Sequence, residues 1–150
     1  MESTQAIRTA IYSAIGNISI QGKKIPVFDG VVNPNIAIPS INNASCYIVL
    51  QDQQENLGAI QNMCAERMQQ NITIRIVTKF ATAAVTDRTL SETVADIIKK
   101  AIRTGRSHNL VSPYINIQKV EAPIVQQTDE FANGQTALSK ILIYSITVNQ

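Results

Sequence analysis

The sequence predicts an α+β fold: a mostly antiparallel β-sheet packed on one face by two α-helices, with long polar loops. Its 150 residues suit one domain spanning residues 1–150. Two segments repeat apolar residues with the helical period, and four others are rich in isoleucine or alternate apolar with polar residues as strands do. Strands grouped around only two helices favour α+β over an alternating α/β fold.

The first helix is predicted over Ser3–Ile15. Ile7, Ile11 and Ile15 form an apolar stripe at helical spacing, and Gly16 follows as a stop. The segments Ile18–Ile20 and Ile25–Val27 then predict a tight hairpin or a bent strand pair, with Gly22-Lys23-Lys24 as a basic hairpin tip. Pro26 favours an edge position, because proline cannot donate to a strand ladder.

Loop-like sequence follows over Phe28–Ser45, with one short extended piece predicted at Ile36–Pro39. Cys46–Gln51 reads as a buried strand. The polar stretch Gln51–Asn71 predicts a long loop, in which Leu57, Ile60, Cys64 and Met68 could place a weak helix. A connection of this length is uncommon unless it is functional, so we expect a docking loop here.

The best-specified stretch is Ile72–Arg106. Ile72–Phe80 alternates apolar and polar residues and predicts a half-covered strand. Thr89 and Glu92 match a capping box, and the helix that follows has acid near its start, base at its end and Gly105 as its stop. This stretch contains no catalytic signature and is expected to be architectural.

The C-terminal part predicts two more strands, Tyr114–Val120 and Lys140–Asn149, which pair across the intervening segment. That segment, Pro123–Ser139, is polar and is predicted to be a second long loop. It contains the turn signal Asn133-Gly134.

Composition excludes several classes of function. The net charge of +2 is too small to imply nucleic-acid binding by itself, and no apolar run approaches the ~20 residues that span a membrane. The polar N-terminus predicts no signal peptide, so Cys46 and Cys64 are expected to be reduced thiols. Asn and Gln together number 25, against 24 charged residues, which fits either protein contacts or the coding bias of an AT-rich genome.

No candidate constellation predicts an enzyme, a cofactor or a metal site. His108 is the only histidine and is expected to be an exposed loop residue, because nothing in the sequence marks a positioned nucleophile beside it. Gly22-Lys23-Lys24 lacks the frame of a phosphate-binding loop. The acidic residues Asp52, Glu55, Asp129 and Glu130 lack metal-ligand spacing and are expected at loop tips.

The order of elements resembles the tail-terminator and tail-completion proteins of tailed bacteriophages, which cap a tail tube or join it to the head. The features that carry the resemblance run over most of the chain: Ser3–Ile15, Ile36–Pro39, Ile72–Phe80, Thr89–Thr104, Tyr114–Val120 and Lys140–Asn149. The long Gln51–Asn71 segment departs from the pattern. It leaves open a tail terminator or a connector ring of a short-tailed phage.

The resemblance implies a virion protein of the tail or neck, assembled in the host cytoplasm as a homo-oligomeric ring of six or twelve subunits. Its partners would be neighbouring neck, portal or tail-tube proteins, and genomic DNA would pass through without specific binding. It implies no cofactor, no membrane and no small-molecule substrate.

Interface residues are expected in the two polar loops and at the basic end of the second helix: Gln53, Gln54, Glu55, Lys99, Lys100, Arg103, Arg106, Gln126, Gln127, Asp129 and Glu130. Tyr12 and Met63 could be apolar anchors, although a core role is the expectation for each. We expect Lys99, Lys100 and Arg103 to face a protein neighbour or solvent, because a dense positive lining would hold DNA in the channel.

Two other interpretations of the function stay open. One is a nucleic-acid-binding module that uses the basic helix end. The other is a small hydrolase-like enzyme centred on His108.

Overall fold

The computed structural model describes the backbone of residues 3–41, 43–56, 67–81, 88–132 and 134–149. Along these ranges the chain forms two helices and nine strands: α1 (Ser3–Ile15), β1 (Ser19–Ile20), β2 (Lys23–Lys24), β3 (Val27–Asp29), β4 (Ser40–Ile41), β5 (Ala44–Asn56), β6 (Arg67–Ala81), α2 (Arg88–Ala101), β7 (Asn116–Val120), β8 (Ile124–Ala132) and β9 (Gln135–Asn149). The α+β prediction is confirmed.

Seven strands form one sheet in which β5, β6 and β9 are the long central strands. The order across the sheet is β3-β5-β6-β9-β7, with β4 beside β5 and β8 beside β9. Only the β3–β5 pair is parallel. The predicted pairing of the last two strands is confirmed, because β7 pairs with the C-terminal part of β9.

One face of the sheet, here called the helix side, carries the main core. The even-numbered residues of the central strands point to this face, as the alternation of side chains requires. They pack in one buried cluster with the apolar stripes of both helices, among them Ile7, Ile11, Val94 and Ile98. Tyr144 is the largest fully buried side chain.

The other face, here called the open side, has a smaller cluster at one end. Phe28, Tyr47, Val49 and Val77 are buried there, and two side chains of the segment between β3 and β4 pack on them. The rings of Phe28 and Tyr47 meet edge to face, with centroids 5.9 Å apart. The segment 30–39 therefore covers part of the open side. The extended piece predicted at Ile36–Pro39 is wrong, because the strand in this region is β4.

The prediction of a loop over the first polar stretch is wrong at both ends of that stretch. The predicted strand over Cys46–Gln51 extends to Asn56 as β5, and β6 begins at Arg67, so both ends of the polar stretch are paired strands. The ladder breaks register between Gln51 and Gln54 and then continues with polar residues opposite one another, all amides except Glu55. Backbone pairing along the long hairpin decides the structure here, although the side chains lack alternation. The predicted weak helix is wrong at Met68, which lies in β6, and Leu57, Ile60, Met63 and Cys64 lie outside the described residues.

The second polar loop is wrong as well. Nearly all of Pro123–Ser139 forms β8 and the first part of β9, which pair antiparallel from Ile124↔Ile143 to Ala132↔Gln135. Gly134 has φ +75°, the left-handed conformation that a two-residue hairpin connection requires. The Asn133-Gly134 signal was therefore the correct indication of a hairpin.

The ends of α2 also differ from the prediction. The helix begins at Arg88, so Thr89 lies in its first turn, where its carbonyl oxygen accepts a bond from Thr93. No acidic residue lies in that first turn, whereas Lys99 and Lys100 do lie in the last. The helix ends at Ala101, before Gly105.

The side chain of Asn109 closes the C-terminus of α2. Its Oδ1 accepts from the backbone N–H of Arg103 at 2.9 Å, and its Nδ2 donates to the carbonyl oxygen of Ala101 at 2.6 Å. Gly105 instead pairs with Val120 of β7.

Candidate interaction surfaces

The four predicted residues Gln126, Gln127, Asp129 and Glu130 lie on β8, and all four are exposed. Every residue of β8 from Ile124 to Phe131 is exposed, since the strand lies at the edge of the sheet and neither helix reaches it. These residues are therefore available for contact, on a strand instead of the predicted loop.

Three apolar side chains on β8 were missed at the sequence level. Phe131 is 70% exposed, Ile124 63% and Val125 43%. Apolar residues that are exposed together on an edge strand favour association with another chain. In the sequence, Ile124-Val125 and Phe131 flank a polar run. They indicate an interaction surface only when that run is known to be a strand.

The basic group Lys99, Lys100, Arg103 and Arg106 lies at and just beyond the C-terminus of α2, and all four side chains are exposed. Within the described ranges, no acidic side chain forms an ion pair with any of them. The helix dipole and contact with solvent are sufficient to explain why Lys99 and Lys100 lie in the last turn of α2.

Gln53, Gln54 and Glu55 lie in the distal part of β5. The register places Glu55 level with Gln70, Ile146, Val120 and Gly105. The structure therefore brings this predicted group and the turn that carries Arg106 to the same end of the sheet, at opposite edges, and leaves the β8 group at the other end.

The edge opposite β8 carries two hollows on the helix side. A groove of about 350 Å³ lies between α1 and β3 and is lined by Arg8, Tyr12, Asp29 and Leu50 among others. Arg8 Nη1 and Asp29 Oδ1 form an ion pair at 3.2 Å beside it. Tyr12 is 47% exposed, so the expectation of a core role is wrong for this residue.

The second hollow, of about 230 Å³, lies where α2 begins, and Ile20, Ile41, Ala44 and Leu90 contribute to its lining. Lys23 stands near this corner, and its Nζ donates to the carbonyl oxygen of Ser40 at 2.5 Å. The predicted hairpin is confirmed, but its turn is Gln21-Gly22, and the exposed Lys23 and Lys24 follow that turn as β2.

His108 is half-buried, so its expected exposure is wrong. Its Nε2 donates to the carbonyl oxygen of Ile117 at 2.6 Å, and its Nδ1 is buried without a hydrogen-bond partner among the described residues. No nucleophile or carboxylate of the described ranges makes a hydrogen bond to the ring. The geometry is that of a side chain that ties the segment after α2 to β7.

Two ionisable groups of the described residues, Cys46 and Tyr144, are buried in the main core. Burial raises the pKa of the Cys46 thiol to about 11, against a smaller opposite effect of its contact with Thr78, so the thiol stays protonated and inert. Burial also raises the pKa of Tyr144 to about 12. The described part of the chain has no cluster of three or more potential metal ligands, and neither of its helices is long and apolar enough to cross a membrane.

Comparison with known proteins gives a likeness of fold. No protein family and no curated protein matches the sequence. Among solved structures, a chain in the virion of a native gene transfer agent particle matches with a TM-score of 0.68 and 13% sequence identity, over 100% of this chain and 100% of that chain. The two chains share one fold. At this identity the likeness concerns the backbone path and leaves the surface residues to be interpreted from this chain itself.

Proposed function

We propose that this chain is a structural protein of a tailed-phage-like virion, where it forms a ring at the neck or tail. The observation that carries the proposal is the full-length fold likeness to a chain of the gene transfer agent virion. The proposed partners are further copies of this chain and the neighbouring neck, portal or tail-tube proteins.

The distribution of exposed groups supports assembly. The two lateral edges of the sheet differ: β8 presents apolar and acidic side chains, and the opposite edge presents two hollows and the basic hairpin tip. Unlike edges favour heterologous contacts, which close into rings when the rotation between copies is suitable. DNA would pass through the opening without specific contacts.

The test is the mass of the purified full chain, measured by native mass spectrometry and sedimentation, together with electron-microscopy class averages. We expect one discrete oligomer of at least six subunits, as a ring with a central hole. A stable dimer or a monomer at every concentration would contradict the ring.

The second candidate function is a nucleic-acid-binding module. The observation that favours it is the exposed basic group at the end of α2, which has no ion pair among the described residues. It predicts that the purified chain binds DNA with an affinity that falls strongly as the salt concentration rises.

A further inference from the structure

The outer edge of β8 differs from that of its neighbour β7. Gly105 pairs with Val120 on the outer side of β7, with the Gly105 N–H donating to the Val120 carbonyl oxygen at 2.6 Å, and His108 bonds to the Ile117 carbonyl oxygen. In the described part of the chain no strand pairs with the outer edge of β8. Native sheets usually cover such an edge, so a free one needs an occupant.

The position of Val125 is the first observation that indicates what could pair with the outer edge of β8. Its row across the sheet passes through directly paired residues to the opposite edge: Val125, Leu142, Ile74, Leu50 and Asp29. Asp29 and Leu50 line the groove between α1 and β3. Val125 points to the helix side, because it pairs with the buried Leu142, and the groove is on the same side.

The position of Phe131 is the second observation. Its row runs through Phe131, Thr136, Phe80, Ala44 and Ile41. Ile41 and Ala44 line the second hollow, whose volume of about 230 Å³ exceeds the roughly 150 Å³ that accommodates a benzene ring in an apolar cavity. Phe131 also points to the helix side, opposite the buried Thr136.

The third observation concerns two charged side chains, Glu130 and Lys23. The row of Glu130 runs through Glu130, Ala137, Lys79, Ser45 and Ser40. At the far edge the ammonium group of Lys23 is bonded to the carbonyl oxygen of Ser40. The row of the exposed Glu130 therefore ends at Ser40, beside the exposed Lys23 of β2. Glu130 points to the open side, because side chains alternate along β8 and its neighbour Phe131 points to the helix side.

Val125 and Phe131 at one edge are as far apart as the two hollows at the other edge, because the same paired strands connect both edges. Val125 and Phe131 are six residues apart on β8, and their rows meet β5 at Leu50 and Ala44, also six apart, without a register shift between them. Six residues of strand span about 20 Å on either edge. A second copy displaced sideways along the rows, without sliding along the strands, would meet all three features together.

We propose that neighbouring copies of this chain join head to tail through this contact, with β8 of one copy lying against the β3–β4 edge of the next. Val125 fills the groove beside Tyr12, Phe131 enters the hollow beside Leu90, and Glu130 pairs with Lys23. β8 runs antiparallel to β3 in this arrangement, since β5, β6, β9 and β8 alternate in direction and β3 is parallel to β5. The inference rests on the proposed ring and names the surface that builds it.

The test is a charge-swap cycle on the full chain, read by native mass spectrometry. Glu130→Lys and Lys23→Glu should each reduce the ring to smaller species, because each places like charges together. The double variant should restore the ring. Asp96→Lys, an exposed carboxylate on α2, is the matched charge control and should leave the ring intact.

A second variant removes the apolar contact. Phe131→Ser should abolish the ring while leaving the circular dichroism spectrum unchanged, because the side chain is 70% exposed within one copy. Val111→Ser, at a site 81% exposed, is its control.

The outcomes separate the two proposals. A ring that survives Glu130→Lys, Lys23→Glu and Phe131→Ser overturns this contact and leaves the ring standing. An unmodified chain that forms no ring overturns the proposed function and this contact with it. Loss in both single variants and recovery in the double variant supports both.

Discussion

At the scale of single residues, Tyr144 places a polar atom in a main core that is mostly aliphatic. Tyr144 is fully buried among isoleucines, leucines and valines, and its hydroxyl has no hydrogen-bond partner among the described residues. A buried hydroxyl that loses its bonds to water without a replacement destabilises the fold. Burial likewise raises its pKa to about 12, since the ionised form is even less tolerated in the core.

We therefore predict that Tyr144→Phe increases the free energy of unfolding at neutral pH by about 1 kcal/mol, because it removes only the unsatisfied group. Urea unfolding checks this, with the exposed Tyr114→Phe as the control. A clear loss of stability in Tyr144→Phe would mean that the hydroxyl is bonded in solution.

The same residue should affect the response to alkali. The folded pKa of about 12 lies above the ordinary tyrosine value of 10.0, because the folded state disfavours the ionised form. The free energy of unfolding therefore has its full value below pH 10 and falls as the pH rises to 12. The loss amounts to roughly 2 to 3 kcal/mol. Cys46 adds a similar fall between the ordinary thiol value of 9.0 and about 11. Tyr144→Phe should retain only the Cys46 part.

At the scale of elements, local signals fixed the helices better than the strands. The stripe that predicted Ser3–Ile15 matches α1 at both ends. For α2 the stripe was right and the ends were wrong, because the residue that caps its C-terminus, Asn109, is eight residues from Ala101. Spacing rules for helix ends consider the adjacent residues and miss a cap of this kind.

We predict that Asn109→Ala lowers the free energy of unfolding by about 1 to 2 kcal/mol, because both bonds to the end of α2 are lost. Asn109→Asp should cost at least as much, because its carboxylate cannot donate to the Ala101 carbonyl oxygen and lies at the negative end of the helix dipole. Thermal unfolding measures the difference, and Asn35→Ala, an exposed asparagine between β3 and β4, is the control. Equal stability of Asn109→Ala and the unmodified chain would show that solvent caps the helix equally well.

At the scale of the whole molecule, the exposed charges are divided between regions. The basic group lies beyond the end of α2, whereas Asp129 and Glu130 lie on β8. If the basic group is solvated or faces a protein neighbour, DNA should meet no concentrated positive surface. Long-range attraction would then be weak at physiological salt.

We predict that the purified chain binds duplex DNA weakly and that changing Lys99, Lys100, Arg103 and Arg106 together to Glu leaves this binding almost unchanged. Four phosphate contacts would instead give a slope of log affinity against log salt of roughly −3.6. Fluorescence anisotropy at several salt concentrations distinguishes the two. A slope of that size, lost in the quadruple variant, would favour the nucleic-acid-binding module over the ring.

The sequence by itself determined the two helices, the aliphatic strand faces that form the core, and the grouping into an α+β fold. These follow from the period of apolar residues, which is local and is read within one segment. The tertiary structure alone decided that Gln51–Asn56 and Ile124–Ala132 are strands, because their pairing energy comes from partners on β6 and β9 and leaves no period in their own residues. It alone also decided which residues share a row, and so which exposed groups at one edge of the sheet match the hollows at the other.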